Sequence, residues 1–242
     1  MKTFTVMGVY GASILTALTA QNTVGVQKVC VVPTDFVSAQ FNSVCSDVRI
    51  GAAKTGMLAD ANLIETVATK IEEHGIQPLV VDPVMVAKSG DRLLEESAKN
   101  ALIKKILPLA NVLTPNLGEA EEITDMTVRT PNAMKEAAKR IIDLGPKSVL
   151  IKGGHLEEDA VDIFYDGTAF TPFHSPRIET PNTHGTGCTL SAAIAANLAK
   201  GESLAEAILK SKQFITEAIR NAPSDIGSGH GPLDHMWRIR GA

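Results

Sequence analysis

The chain has 242 residues, 44% hydrophobic and 21% charged, a balance that excludes a disordered polypeptide and suits a globular domain with a full core. A net charge of −4 and a pI near 5.9 offer a polyanion no long-range attraction, so no nucleic-acid partner is expected and any phosphate must be held locally. No apolar run is long enough to span a bilayer, no export signal is evident, and three cysteines, Cys30, Cys45 and Cys188, without metal-like spacing suit a reducing, cytoplasmic compartment.

Apolar β-branched runs alternate with amphipathic segments, the pattern of helices covering both faces of a mostly parallel sheet. Asp60 predicts the cap of a helix reaching about Glu73, with Leu63, Ile64, Val67 and Ile71 on one face and Gly75 as its stop. Pro78 to Asp82 reads as a buried strand that delivers a carboxylate to the C-terminal edge, where ligands bind in open α/β sheets. A helix from about Glu95 to Leu107 follows, then a strand from Asn111 to Thr114 before Pro115. Thr130 and Pro131 start a helix reaching about Leu144 and ended by Gly145, and Ser148 to Lys152 forms a third buried strand before Gly153 and Gly154. Val161 to Phe173, turning at Asp166-Gly167, reads as a β-hairpin. A glycine turn at residues 185–187 opens a helix that Gly201 closes, and Ser203 with Glu206 predicts a capping box for the final helix, about Leu204 to Asn221. With no internal repeat or linker, residues 1–242 are expected to form one domain.

The chemistry concentrates in Asn182-Thr183-His184-Gly185-Thr186-Gly187-Cys188-Thr189, which runs straight into the alanine-rich stretch from Leu190 to Ala196. Glycines at 185 and 187 let the backbone approach a phosphoryl group, and the amides and dipole of the new helix face the same point. A thiol at a helix N-terminus is expected to have a lowered pKa, so Cys188 would accept a proton at neutral pH. The same residues also suit a tight helix start holding a small buried cysteine. Phosphoryl transfer needs amides or cations around the moving group, a carboxylate-held Mg²⁺ and a positioned alcohol. Asp82 and Glu119 are the candidates for Mg²⁺, directly or through water, with surface caps as the alternative. Lys152, leaving a buried strand, is the candidate for a β- or γ-phosphate, or is simply solvated. His184 supports the thiolate or caps a loop, the loop being favoured.

Taken together with Thr16-Ala17-Leu18-Thr19-Ala20-Gln21-Asn22-Thr23, Lys54-Thr55-Gly56-Met57-Leu58, Asp82-Pro83-Val84-Met85-Val86-Ala87-Lys88-Ser89-Gly90, Leu113-Thr114-Pro115-Asn116 and Lys152-Gly153-Gly154-His155, the chain resembles the hydroxymethylpyrimidine/phosphomethylpyrimidine kinases, the ThiD branch of the ribokinase-like superfamily. The resemblance runs from Lys2 nearly to the C-terminus. It implies a three-layer α/β/α fold and two successive ATP-dependent phosphorylations, of 4-amino-5-hydroxymethyl-2-methylpyrimidine and of its monophosphate, in thiamine biosynthesis. Carried over by position, Gln21 bonds the aminopyrimidine, and Met57 and Val86 pack around its ring. Lys152, Asn182 and Thr183 line the nucleotide phosphates, Gly185, Thr186, Gly187 and Cys188 form the anion hole, and Asp82 with Glu119 hold magnesium. Cys188 stands where related alcohol kinases place an aspartate base. Lys88 could fold over the site as part of a lid when the acceptor is itself a phosphate, a solvated loop lysine being the default reading, and the resemblance implies a homodimer.

Family members also carry a glycine-rich segment before the Leu-Lys-Thr matched here by Met1-Lys2-Thr3. That segment supplies a central strand, part of the first helix and an aspartate against the pyrimidine. Without it, unpaired backbone and apolar side chains are expected to be exposed. A start placed downstream of the true one is favoured over a weakened enzyme, because the remaining catalytic positions look intact. Pyridoxal kinase activity and a noncatalytic ligand-binding module are the competing functions.

Overall fold

The computed structural model describes residues 1–85, 96–154 and 160–240. After a short helix α1 (Lys2–Val6), strands β1 (Ala17–Gln21) and β2 (Val26–Val31) pair antiparallel as a separate two-stranded hairpin. Helix α2 (Thr34–Cys45) leads to a six-stranded sheet in the simple order β3 (Ala53–Thr55), β4 (Leu79–Val81), β5 (Val112–Leu113), β6 (Val149–Ile151), β7 (Ala160–Tyr165) and β8 (Phe170–Ser175). The first four strands run parallel and the last two turn back antiparallel, so the expected mostly parallel α/β sheet is the one observed.

Alternation along the short strands divides the core. Leu79, Val81, Leu113, Val149 and Ile151 face α3 (Ala61–Glu73), α4 (Glu96–Ala101), α5 (Leu117–Thr124) and α6 (Pro131–Ile142), whereas Val80, Val112 and Leu150 face α7 (Thr186–Ala199) and α8 (Leu204–Arg220). All eight side chains are fully buried, which is why these strands read as continuous apolar runs. Ala192, Ala193, Ala195 and Ala196 are also buried, and such small side chains let α7 lie close across the sheet with its N-terminus at the C-terminal edge.

The predicted punctuation holds at most helix ends. Asp60 accepts from the Leu63 amide, Thr130 from Ala133 and Ser203 from Glu206, and Gly75, Gly145 and Gly201 all have positive φ. Two corrections follow. The helix expected to reach Leu107 leaves the α conformation at Leu102, continues as a π-turn to Ile106 and tightens into a 3₁₀ turn from Leu107 to Leu109, where Pro108 removes an amide donor. Leu204–Arg220 is not the final helix, because α9 (Trp237–Arg240) packs Trp237 against Phe214.

Strand β3 pairs on one side alone among the described residues. The Ala53 amide and the Thr55 carbonyl point to β4, so the Lys54 amide and carbonyl face the other way. Beside that edge lies a cavity of about 600 Å³ lined by Phe4, Phe41, Val67, Ile71, Leu79 and Ala195 among others. No described helix is long and apolar enough to cross a membrane.

Candidate active site

Asp82, Thr114 and Lys152 each stand one residue beyond a parallel strand, β4, β5 and β6 in turn, so the sheet places them side by side. Lys152 Nζ lies 3.0 Å from Asp82 Oδ1. The hydroxyls of Thr114 and Ser191 donate to the same carboxylate at 3.5 and 3.4 Å, and the Cys188 thiol bonds to it as well. Burial alone would push the Asp82 carboxyl up. The charges of Lys152 and Lys54, with hydrogen bonds from Lys152 and Cys188, outweigh burial and hold it below its ordinary value. Burial opposes the Lys152 charge too, but Asp82 and Glu119 raise its pKa.

The glycine turn closes over this pair. Gly185 takes a left-handed conformation, φ 79°, to start α7, and a Cβ at Gly187 would stand 3.2 Å from Lys152 Nζ and 3.6 Å from Asp82 Oδ2. Of the expected anion-hole amides, Thr186 N is engaged by the Thr183 carbonyl at 3.3 Å. The amides of Gly187 and Cys188 meet no protein acceptor among the described residues and remain for an anion.

Cys188 corrects the sequence expectation. Its sulfur opens onto the cavity, yet its pKa is raised, not lowered, because burial disfavours the thiolate and the neighbouring Asp82 charge and hydrogen bond act in the same direction. The Lys54 and Lys152 charges oppose these effects without overcoming them. The lowering expected of a helix N-terminus is outweighed here by burial and by the anion beside the thiol.

Glu119 lies inside the fold rather than at its surface. Asn116 caps α5 by accepting from the Glu119 amide, and Glu119 Oε2 accepts from the Asn116 amide at 2.7 Å, a complete capping box. Burial, with a smaller push from Asp82, raises its pKa to about 7 despite Lys152 and two backbone amides. The raised value carries a sign. Unfolded, this carboxyl ionises near 4.5, so between there and about pH 7 the folded state holds the extra proton and stability falls as pH rises. A Glu119→Gln variant, which keeps an acceptor for Asn116, is expected to lack that decline. Its melting temperature relative to the native protein should climb between pH 5 and 8, by an amount corresponding to at most ~3 kcal/mol. A difference that stays constant over this range would show that Glu119 does not titrate there.

These groups form the floor of a cavity of about 1040 Å³. Gln21 and Met57 line it, as do Lys152, Thr183, Gly185, Thr186, Gly187, Cys188, Asp82 and Glu119. Asn182 does not. Its side chain donates to the Pro223 carbonyl and accepts from the Gly231 amide, tying the loop before α7 to the segment after α8. His184 joins the same tie through its backbone amide and the Gly231 carbonyl, and it also lines the cavity. Val86 and Lys88 lie outside the described residues. The sequence reading did not pick out Ser191, Lys54, or the Asp162 and Lys212 pair that also lines the cavity. Their signal was positional only, a polar residue one turn into α7 and charges within apolar stretches.

Comparison with known proteins identifies the family. The family model for phosphomethylpyrimidine kinase matches residues 1–234. A hydroxymethylpyrimidine/phosphomethylpyrimidine kinase of Streptomyces coelicolor is 44% identical over 99% of the chain and 88% of its own length. A thiamine biosynthesis bifunctional protein of Geobacter sulfurreducens is 49% identical over 98% of the chain, which spans 48% of that longer protein. In structure, the ADP complex of Bacillus subtilis pyridoxal kinase superposes with a TM-score of 0.90 at 38% identity, covering 99% of this chain and 91% of that one. With a mostly parallel α/β sheet shared with its solved relatives and a family match over nearly its whole length, the chain belongs to the phosphomethylpyrimidine kinase family.

Proposed function

We propose that the protein transfers the γ-phosphoryl group of ATP to the hydroxymethyl of 4-amino-5-hydroxymethyl-2-methylpyrimidine and then phosphorylates the monophosphate, a step of thiamine biosynthesis in the cytoplasm. The observation that carries the reading is the start of α7 lying against the Lys152 and Asp82 pair, with a Cβ at Gly187 3.2 Å from Lys152 Nζ, in a cavity large enough for nucleotide and acceptor together. The amides and the Lys152 ammonium stabilise charge on the moving phosphoryl group. Cys188 takes the alcohol proton. It does so as the thiolate: the resting thiol first gives its own proton to solvent, Lys54 and Lys152 favour the resulting anion, and late proton removal in a loose transition state asks only a moderate base. Gln21, on the cavity side of the β1–β2 hairpin, is placed to bond the aminopyrimidine edge, and Met57 to pack on the ring.

Two buried carboxylates, one of them already paired with a lysine, fit a cation that arrives on the nucleotide rather than in a cage of protein ligands. Mg²⁺ would be held by Asp82 and Glu119 through water, and when bound it neutralises charge on the phosphate oxygens.

The test is ADP release measured with the pyrimidine, its monophosphate and pyridoxal as acceptors. Turnover with both pyrimidines above that with pyridoxal supports the proposal. Dominant pyridoxal turnover would favour the second reading, which the close superposition on a pyridoxal kinase motivates. Acceptor binding without turnover would favour a noncatalytic module.

A homodimer fits the hairpin. Isolated two-stranded hairpins are marginal in water, and here Leu18 and Cys30 lie exposed on the face opposite Thr19, Gln21 and Val29, which line the cavity. Light scattering is expected to give twice the 25.6 kDa of one chain, and Leu18→Glu to reduce it to a single chain. A native protein that elutes as one chain at micromolar concentration would refute the dimer.

A further inference from the structure

Immediately after Lys152, the chain makes a turn that the rest of the fold holds tightly. The Lys152 amide donates to the Pro115 carbonyl at 2.8 Å, and the next amide, Gly153, donates to Asp162 Oδ1 at 2.9 Å. The turn presses so closely on β7 that a Cβ at Gly153 would come within 2.0 Å of the Val161 carbonyl oxygen. Asp162 is itself almost wholly buried, and its second oxygen receives Lys212 Nζ at 2.6 Å from the middle of α8. Lys212 is 6% exposed, and both members of the pair border the same cavity as Lys152 and Gly154.

A buried ion pair is a poor way to gain stability. Desolvating both charges costs about as much as their attraction returns, and apolar residues of the same size often serve as well. This pair does something that apolar residues would not, because one carboxylate oxygen fixes a backbone amide at the residue following the phosphate lysine. We propose that Lys212 is a positioning residue for phosphate handling: it holds the Asp162 carboxylate in place, Asp162 clamps the Gly153 amide, and the clamp sets the direction in which Lys152 enters the cavity. Lys212 thus acts on the nucleotide through Asp162 and the backbone rather than by touching it. The role rests on reading the cavity as the ATP site.

Three variants test it, Lys212→Met, Asp162→Asn and the pair combined, each measured for the KM of ATP, kcat and melting temperature. Lys212→Met strands a buried carboxylate and is expected to raise the KM of ATP by about 10- to 100-fold. The double variant carries no buried charge, and an amide oxygen at 162 can still accept from Gly153, so its KM should return to within about threefold of native. A double variant as impaired as Lys212→Met would overturn the proposal by showing that Lys212 contacts the nucleotide itself. A loss of kcat and melting temperature at unchanged KM would overturn it as well, leaving the pair a purely structural role. Hydrogen exchange of the segment around Gly153, measured without nucleotide, should accelerate in Lys212→Met and not in the double variant. That readout needs no turnover, so a native protein that never consumes ATP would defeat the kinase reading while leaving the clamp to be judged by exchange. Should Lys212→Met fail to fold, Lys212→Arg, which preserves the charge, must retain the native KM for the proposal to stand.

Discussion

Replacing Cys188 by alanine is expected to lower kcat by about 10²- to 10⁴-fold, the range for losing a positioned proton acceptor, with little change in melting temperature. The sulfur opens onto the cavity rather than filling the core, so its removal leaves no buried void. The distinctive prediction concerns pH. Burial, Asp82 and their shared hydrogen bond push the thiol above its ordinary pKa of 9.0, so at neutral pH the free enzyme carries the S–H form. If the thiolate is the proton acceptor, log kcat should rise with a slope near +1 from about pH 7 toward pH 9, and the residual activity of Cys188→Ala should lack that slope. Steady-state rates in buffers of constant ionic strength measure both. A native profile flat across this range, together with an alanine variant that keeps most of its activity, would remove the thiol from the chemistry.

Lys152→Met should be more damaging still, because it affects activity and stability together. The ammonium faces the point where a phosphoryl group meets the Gly187 and Cys188 amides, and loss of one such donor costs about 10²- to 10³-fold in kcat. It also neutralises Asp82, which is 2% exposed, and stranding a buried carboxylate of this kind costs ~3–5 kcal/mol. The two effects separate in the combination Asp82→Asn with Lys152→Met. Chemical denaturation should show most of the stability restored, whereas ADP release should stay at the level of the single variant. Unchanged stability in Lys152→Met would mean that Asp82 draws its support from Lys54, Ser191 and Thr114 instead.

Most of the main sheet was legible because its strands are buried on both faces. Runs such as Pro78 to Asp82 and Ser148 to Lys152 carry an unbroken apolar signal, and their terminal polar residues mark the edge where the site lies. The β1–β2 hairpin carries no such signal. Its strands are exposed along nearly their whole length, so apolar and polar residues follow no period. Helix α2 could have been found, since Pro33-Thr34-Asp35 is a helix-start pattern with an acidic first turn. Glu119 stood three residues beyond Asn116, the spacing of a capping box, yet its burial and its raised pKa depend on the sheet beneath it. The direction of the Cys188 shift shows the same limit. The helix start was readable locally, whereas the burial that reverses its effect, and the carboxylate that adds to it from a strand more than a hundred residues away, come from the folded sheet.

The hairpin's separation from the main sheet means that its opening breaks no ladder of that sheet, only local ties such as those from the Gly229 and His230 amides to Thr23 at its tip. Among the described residues no strand of the six-stranded sheet pairs with β1 or β2, and Gln21 and Thr19 reach the cavity from this ribbon, whereas Lys152 and the α7 turn belong to the packed layers. Subglobal opening of residues 17–31 would therefore uncouple recognition of the acceptor from retention of ATP. Brief protease treatment that nicks the tip between Asn22 and Gly25 would leave a particle that still holds nucleotide but has lost its grip on the small ring.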